Sequence, residues 1–506
     1  MAASSFSRQI ILRDYQKPHA EKIIKSLMTN ISYVDISVKG AGKTIFAMYT
    51  AQYFKARMFI IAPSDILVQK WRDLAGQYGI TAEVYTYASL HGTSDKLNHP
   101  YLTRKTYGSG TSAVTNFQVT EKLDEHIAKG TLFIFDEFHH VKNIKTKGFE
   151  CVSAISERIN TWRDNHSRIG YLSNTPLTDK EQMWAFCILN GLVSKWNPSS
   201  MQFLAFKGVA LDMIKKKAMQ KDEKLATQIS TIHAGANTTR GLDNCLSDLV
   251  VQILARDIVF SCIVPDKLIN EKTGEELATK KYYNVFCTPA DEIEKKKMEL
   301  AMKNLIDTSN SKDDGVALDV QALTALEFDK VGSIVRQTLQ ILKENPKAKV
   351  VIAVNYVIGV MAKFFEEFNT KKTAGALFIH GGIVGTERLK VLSEWDKNSI
   401  YQVLVAQINV IQEGIDLDDV TGEHPRFLIV SPSFKVISMN QALGRCYRPG
   451  RTTGVVTVYV WYSFDDREKR MLENAKNRED VMSVFRSADD KGFDRSCDFE
   501  SKFVTI

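Results

Sequence analysis

The densest chemistry in the chain lies at Ser37-Val38-Lys39-Gly40-Ala41-Gly42-Lys43-Thr44, between the apolar run Tyr33–Val38 and the helical stretch Thr44–Phe54. Glycines let main-chain N–H groups converge on anionic oxygens without Cβ clashes, and the helix that follows adds the positive end of its dipole. The pattern is that of a polyphosphate cradle. Gly40, Ala41 and Gly42 supply the N–H groups, Lys43 reaches the terminal phosphates, and the Thr44 hydroxyl ligates Mg²⁺. The strict form of this loop opens with glycine, and here Ser37 takes that place. A plain glycine turn between strand and helix is the bland alternative, and the Gly42-Lys43-Thr44 triplet in this context argues against it.

A second constellation, Asp136-Glu137-Phe138-His139, closes the apolar run Thr131–Phe135. Carboxylates at the carboxyl end of a parallel strand lie where such sheets bind ligands. Asp136 is placed to hold Mg²⁺, directly or through water, and Glu137 to polarise an attacking water. Such a string alone is weak, and the phosphate loop upstream is what gives it meaning.

The elements needed to position these groups are legible in the hydrophobic pattern. Tyr33–Val38, Met58–Ala62, Thr131–Phe135 and Ile169–Ser173 are short and nearly continuous in apolar residues, as central parallel strands are. Helical stretches such as Thr44–Phe54 and Asp65–Tyr78 separate them, so the first part of the chain reads as a doubly wound α/β lobe. From about 180 to 335 helical periodicity dominates, with Lys215–Lys217, Lys295–Lys297 and a polar break at Thr308–Gly315. A second α/β series follows at Lys349–Val354, Ala376–Ile379, Gln402–Ala406, Arg426–Val430 and Val455–Val460. The expected division is a first lobe over 1–195, a mainly helical basic region over 196–335, a second lobe over 336–465, and a charged helix and polar tail over 466–506.

Composition narrows the class. The chain has 506 residues, a formal charge of +7, 44% hydrophobic and 25% charged residues, which is ordinary for a folded protein. No apolar run approaches the roughly 20 residues of a spanning helix, and the amino terminus lacks a secretory pattern. Seven cysteines form no CxxC pair, which argues against a disulfide framework or a structural zinc site. The expectation is a soluble intracellular protein without a membrane partner, its basic balance compatible with nucleic acid.

With these residues in place, the chain resembles the superfamily 2 helicases and translocases from about Leu12 to Tyr462. Leu12-Arg13-Asp14-Tyr15-Gln16 resembles the element whose glutamine reads adenine. Ala62-Pro63-Ser64 with Gln69-Lys70-Trp71, and Thr86-Tyr87-Ala88-Ser89-Leu90, are similar to segments that touch the nucleic-acid strand. Ser173-Asn174-Thr175-Pro176 resembles the motif that links hydrolysis to lobe movement, with Asn where Ala is usual. Gln407–Asp418, with Gly414 and Asp416, and Gln441-Ala442-Leu443-Gly444-Arg445-Cys446-Tyr447-Arg448-Pro449-Gly450 resemble the fifth and sixth motifs. The last string is most similar to the Swi/Snf-type and large-DNA-virus NTPase branches, a likeness shared by Ile379-His380-Gly381-Gly382 with Arg388 and Trp395, although Arg451 stands where the former usually has Gln.

The resemblance implies two RecA-like parallel-sheet lobes with a helical insertion, ATP and Mg²⁺ between them, and DNA or RNA as partner. It assigns Gln16, Gly414, Asp416 and Gln441 to the nucleotide, and Arg445 and Arg448 to the charge that spreads during phosphoryl transfer. On a helix these two arginines, three apart, would face the same way. Viral transcription or genome handling, with transcription or replication machinery as partners and the virion or host cytoplasm as location, is the role this branch suggests. Two other readings stand beside it: a P-loop ATPase of another class, and a non-catalytic nucleic-acid-binding or packaging protein that retains the fold. The second α/β lobe carrying Gln441 and Arg445 argues against an oligomeric ring, and intact Lys43, Asp136, Glu137 and Arg448 argue against decay. The lysine runs read as solvated helix faces or phosphate contacts, the histidine after the acidic pair as a relay, His140 equally as a plain hydrogen-bonded loop residue, and Trp71 and Trp395 as core.

Overall fold

The computed structural model describes residues 8–37, 40–91, 99–107, 114–162, 166–174, 180–195, 202–221, 241–243, 257–262, 280–287, 289, 291–297, 299–300, 315–383, 385–412, 415–431, 442, 444–447 and 455–461. Val38, Lys39, Thr175, Pro176, Gly414, Gln441, Arg448, most of the polar break at 308–315 and the segment from 466 lie outside the described residues. The described residues up to Cys262 form one compact unit and those from Lys280 a second.

The first unit runs α1 (Lys17–Leu27), β1 (Ser32–Asp35), α2 (Lys43–Phe54), β2 (Met58–Ala62), α3 (Asp65–Gln77), β3 (Ala82–Thr86) and α4 (Tyr87–His91). It continues with β4 (Leu102–Tyr107), β5 (Val114–Val119), α5 (Glu121–Ala128), β6 (Leu132–Asp136), α6 (Lys147–Thr161), β7 (Arg168–Leu172), α7 (Met183–Leu189), α8 (Phe203–Lys221) and β8 (Val259–Phe260). Six strands pair in parallel in the order β3-β2-β6-β7-β1-β8, and β4 and β5 form a separate antiparallel hairpin.

The central strands are buried on both faces, which is why they read as continuous apolar runs rather than alternating ones. Alternate residues still serve different cores. Val34, Phe59, Ile61, Phe133, Phe135 and Tyr171 pack with α6 and α7, while Tyr33, Ile60, Ile134 and Leu172 pack with α1 and α2. Gly170 in β7 is required by this packing, because a Cβ there would come within 2.7 Å of the Tyr33 ring.

The second unit comprises β9 (Lys280–Phe286), α9 (Gly315–Glu344), β10 (Lys349–Val354), α10 (Val360–Phe365), β11 (Gly375–Ile379), α11 (Gly385–Lys397), β12 (Tyr401–Gln407), α12 (Ile408–Gln412), β13 (Arg426–Val430) and β14 (Val455–Trp461). Its six strands are also all parallel, in the order β11-β12-β10-β13-β14-β9. The fold is therefore α/β with two RecA-like parallel sheets.

The stretch 196–335 is shared out between the units. The α8 residues Phe206, Leu211 and Ile214 enter the first core, β8 extends the first sheet, and β9 extends the second. Neither strand was legible: β8 spans two residues, and β9 follows no apolar run. The lysine runs sit on helices beside acidic neighbours. Lys215 lies 3.9 Å from Asp212 and Lys295 lies 3.3 Å from Glu292, and both pairs are separated by three positions. Of the seven cysteines, Cys151, Cys187, Cys262, Cys287 and Cys446 are buried and free, and no described helix is long and apolar enough to cross a membrane.

Candidate active site

The phosphate loop leaves β1 and enters α2 at Lys43. Gly40 and Gly42 have φ of 83° and 112°, the left-handed region in which a Cβ is penalised. Gly42 is constrained twice, since a Cβ there would also come within 2.5 Å of Gln16 Nε2. That side chain braces the loop: Nε2 donates to the Ala41 carbonyl at 2.7 Å, and Oε1 accepts from the Arg13 N–H at 3.0 Å. Lys43 Nζ donates to the Ser37 carbonyl at 2.7 Å, so the ammonium lies across the loop. Thr44 follows in the first turn of α2.

Ser37 has a physical reason to stand where glycine is usual. Asp35, the last residue of β1, is wholly buried, and its Oδ1 accepts from both the N–H (2.9 Å) and the hydroxyl of Ser37. The same hydroxyl oxygen accepts from the Cys262 N–H at 2.9 Å and lies 3.2 Å from His19 Nε2. His19 Nε2 is in turn 3.4 Å from Asp35 Oδ2. Burial works to raise the Asp35 pKa, but His19, Lys43 and the Ser37 hydroxyl outweigh it and hold the carboxyl below its ordinary value. A glycine at 37 would strip this buried carboxylate of a partner. Nothing in the spacing of the loop pointed to His19, although an acid inside an otherwise apolar strand was a signal.

Asp136 ends β6, and Glu137 takes φ of 49°, an uncommon conformation for a residue with a side chain and one that clusters at functional sites. A short 3₁₀ turn, Phe138–Val141, follows. Glu137 Oε2 lies 3.3 Å from His139 Nδ1 and accepts from the Ser173 hydroxyl at 3.4 Å, while His139 Nδ1 is 3.0 Å from that hydroxyl. The acidic motif on β6 and the Ser173 motif after β7 thus meet in one polar cluster. His139 takes part in it, whereas His140 instead stacks on Tyr87.

Two further side chains converge on Asp136. Trp71 Nε1 of α3 donates to Asp136 Oδ2 at 2.8 Å, and the Tyr87 hydroxyl donates to the Asp136 carbonyl at 2.9 Å. Burial first, and then the charge of Glu137, push the Asp136 carboxyl up to about 6, against the pull of the Trp71 N–H and Lys43. Trp71 is core by burial, as expected, yet its polar end reaches this carboxylate. Tyr87 was placed in a strand-contacting segment and is buried here.

The donor set suits Mg²⁺. Among the described residues no group of three or more His, Cys, Asp or Glu could hold a metal. Magnesium usually takes one or two protein oxygens and completes its shell with phosphates and water, and Thr44 and Asp136 offer such hard oxygens.

In the second unit, Arg445 is buried, and its Nη1 lies 4.0 Å from Asp416 Oδ1. The Leu417 N–H donates to the Arg445 carbonyl at 3.0 Å, so the fifth and sixth motif segments adjoin. The helical argument for Arg445 and Arg448 needs correction. Gly444 and Arg445 lie in a turn in which the Arg445 N–H bonds back to Ala442 O at 2.9 Å, so a helical spacing does not set the direction of Arg445. Trp395 is buried, as expected, and carries the Arg426 guanidinium over its ring at 4.8 Å.

Two parallel sheets, the first with a phosphate loop and an acidic strand end at its carboxyl edge, define a helicase- or translocase-type ATPase architecture. Residues 9–165 match the family described as "Type III restriction enzyme, res subunit", and residues 333–450 match "Helicase conserved C-terminal domain". Both matches support a superfamily 2 helicase. It is 22% identical over 493 residues to a protein of Acanthamoeba polyphaga mimivirus named "Putative ATP-dependent RNA helicase L364", covering 94% of this chain and 84% of that one. Among solved structures, the Sulfolobus solfataricus SWI2/SNF2 ATPase core in complex with dsDNA aligns over 96% of this chain and 97% of its own, with 14% identity and a TM-score of 0.33.

Proposed function

We propose that the chain is a nucleic-acid-stimulated ATPase that uses ATP and Mg²⁺ to move along or unwind DNA or RNA. The observation that carries this reading is the polar cluster of Glu137, His139 and Ser173 at the ends of β6 and β7, the latter paired with the strand that leads into the phosphate loop. In this reading Gly40, Ala41 and Gly42 present N–H groups to the triphosphate, Lys43 neutralises its terminal oxygens, and Thr44 and Asp136 hold the ion. When bound, Mg²⁺ would offset the negative charge of the phosphate oxygens. Glu137 orients the water and accepts its proton. Gln16, Gly414, Asp416 and Gln441 serve the nucleotide, and Arg445 and Arg448 stabilise the charge that spreads in the transition state.

The Ser173 hydroxyl supports a link between hydrolysis and movement. It touches the residue assigned to water, while the Ser173 main-chain N–H donates to Asp35 O at 3.1 Å beneath the phosphate loop. A change in the γ-phosphate position would therefore be felt on β7. The name of the mimivirus relative favours RNA over DNA. The test is ATP hydrolysis measured alone and with RNA, single-stranded DNA and duplex DNA. Stimulation by one polymer identifies the track, and equal rates in all four conditions reject the proposal.

A further inference from the structure

Asp136 is held by two residues outside its own motif, one at its carboxylate and one at its main-chain carbonyl. Trp71 is 1% exposed, and its indole N–H, buried beside Asp136, requires an acceptor. Of the acceptors a core can offer, it takes Oδ2 of the carboxylate assigned to the metal, at 2.8 Å. Filling this space needs only an aromatic ring, and phenylalanine would do that without imposing a direction on Asp136. An N–H bond to one oxygen fixes the rotation of the carboxylate plane. Tyr87, from α4, fixes the other end of the residue by donating to its main-chain carbonyl at 2.9 Å.

We propose that Trp71 and Tyr87 are positioning residues for Asp136, which orient its carboxylate toward the divalent ion through one side-chain and one main-chain hydrogen bond. Trp71 stands on the helix after β2 and Tyr87 opens the helix after β3, so the two anchors come from the helices that follow the two strands beyond β6 on that side of the sheet. Partners of this kind around metal ligands typically change metal affinity by about 10–100-fold when removed. The inference rests on the proposed nucleotide–metal site but not on nucleic-acid stimulation.

The test is titration of the full-length protein with Mn²⁺ in the presence of ADP, followed by electron paramagnetic resonance, beside ADP binding without metal. Trp71→Phe keeps an aromatic plug and loses the N–H, and it is expected to weaken Mn²⁺ binding by about tenfold while metal-free ADP binding stays unchanged. Tyr87→Phe removes a single oxygen and is expected to weaken it by a smaller factor, about threefold, so it serves if Trp71→Phe fails to fold. Wild-type Mn²⁺ affinity in a folded Trp71→Phe protein, or in Tyr87→Phe where the former does not fold, overturns the proposal. Equal losses of ADP and Mn²⁺ binding also overturn it, because they would mark a general packing role. A Mn²⁺ shift in a protein whose hydrolysis no polynucleotide stimulates would sink the functional reading and leave this inference standing.

Discussion

Each unit buries a carboxylate beside the end of a central strand. Asp136 ends β6, third in its sheet, and Glu327 reaches from α9 to the residues that follow β10, third in the other. Burial raises the pKa of both, yet their surroundings differ. Glu327 accepts from the Asn355 N–H at 2.9 and 3.0 Å, from Asn355 Nδ2 at 3.0 Å and from the Tyr356 N–H at 2.8 Å. It is a bracket that closes the turn after β10, with both oxygens engaged by fixed donors. Asp136 has one side-chain donor, Trp71, and a main-chain donor in Glu137, and it lies within the field of Lys43 beside a glycine loop. A carboxylate bracketed by the donors of one turn holds structure, and one beside the lysine of a phosphate loop can exchange partners with a ligand. Burial and a raised pKa alone do not separate the two.

The widest separation should come from Lys43→Ala and Asp136→Asn. Each is expected to lower the ATP turnover number by about 10²–10³-fold or more, with the melting temperature little changed. Steady-state hydrolysis beside thermal unfolding checks this, and turnover near the wild-type rate in Lys43→Ala rejects the assigned site. Glu327→Gln should behave in the opposite way. It turns an acceptor toward its donors into an N–H group, with an expected loss of about 2–3 kcal/mol in stability and unchanged ADP binding. Urea unfolding and nucleotide titration of that variant would show whether the bracket carries chemistry after all.

Smaller effects sharpen the picture beneath the phosphate loop. Asp35→Asn is expected to destabilise the protein by about 1–3 kcal/mol at pH 7. The Asp35 pKa is held below the ordinary 3.8, so its contribution is present above that value and is lost as pH falls through the lower, folded-state value. Unfolding of variant and wild type at pH 7 and at pH 3 should therefore show a gap that narrows in acid, and a constant gap would contradict the pairing. Ser37→Gly restores the strict loop pattern but removes the hydroxyl shared by Asp35 and Cys262, with an expected cost of about 1 kcal/mol. Calorimetry would detect it, and a stabilised variant would mean that the hydroxyl is dispensable.

Much of the architecture could be read along the chain. Central parallel strands bury both faces, so Met58–Ala62, Leu132–Asp136 and Lys349–Val354 appear as unbroken apolar runs. The edge strand Gly375–Ile379 was read as well, but other edge strands were missed because they lack that burial or length. Ala82–Thr86 is only half-buried, and Val259–Phe260 is too short to have a period. Lys43, Asp136 and Glu137 were legible because local geometry demands them: a glycine turn before a helix, and acids at a strand end.

What the order of residues determined by itself was the set of reactive groups and the elements that carry them, since helix and strand periodicities and turn chemistry act over a few positions. What only the tertiary structure decided was which groups share a neighbourhood. His19, Asp35, Ser37 and Cys262 meet beneath one loop, and Trp71, Tyr87 and Asp136 meet at one strand end, across sequence separations that leave no local trace. Side chains so far apart along the chain are brought together by parallel strand pairing and core packing, and the partners available there set the ionisation and direction of each buried carboxylate.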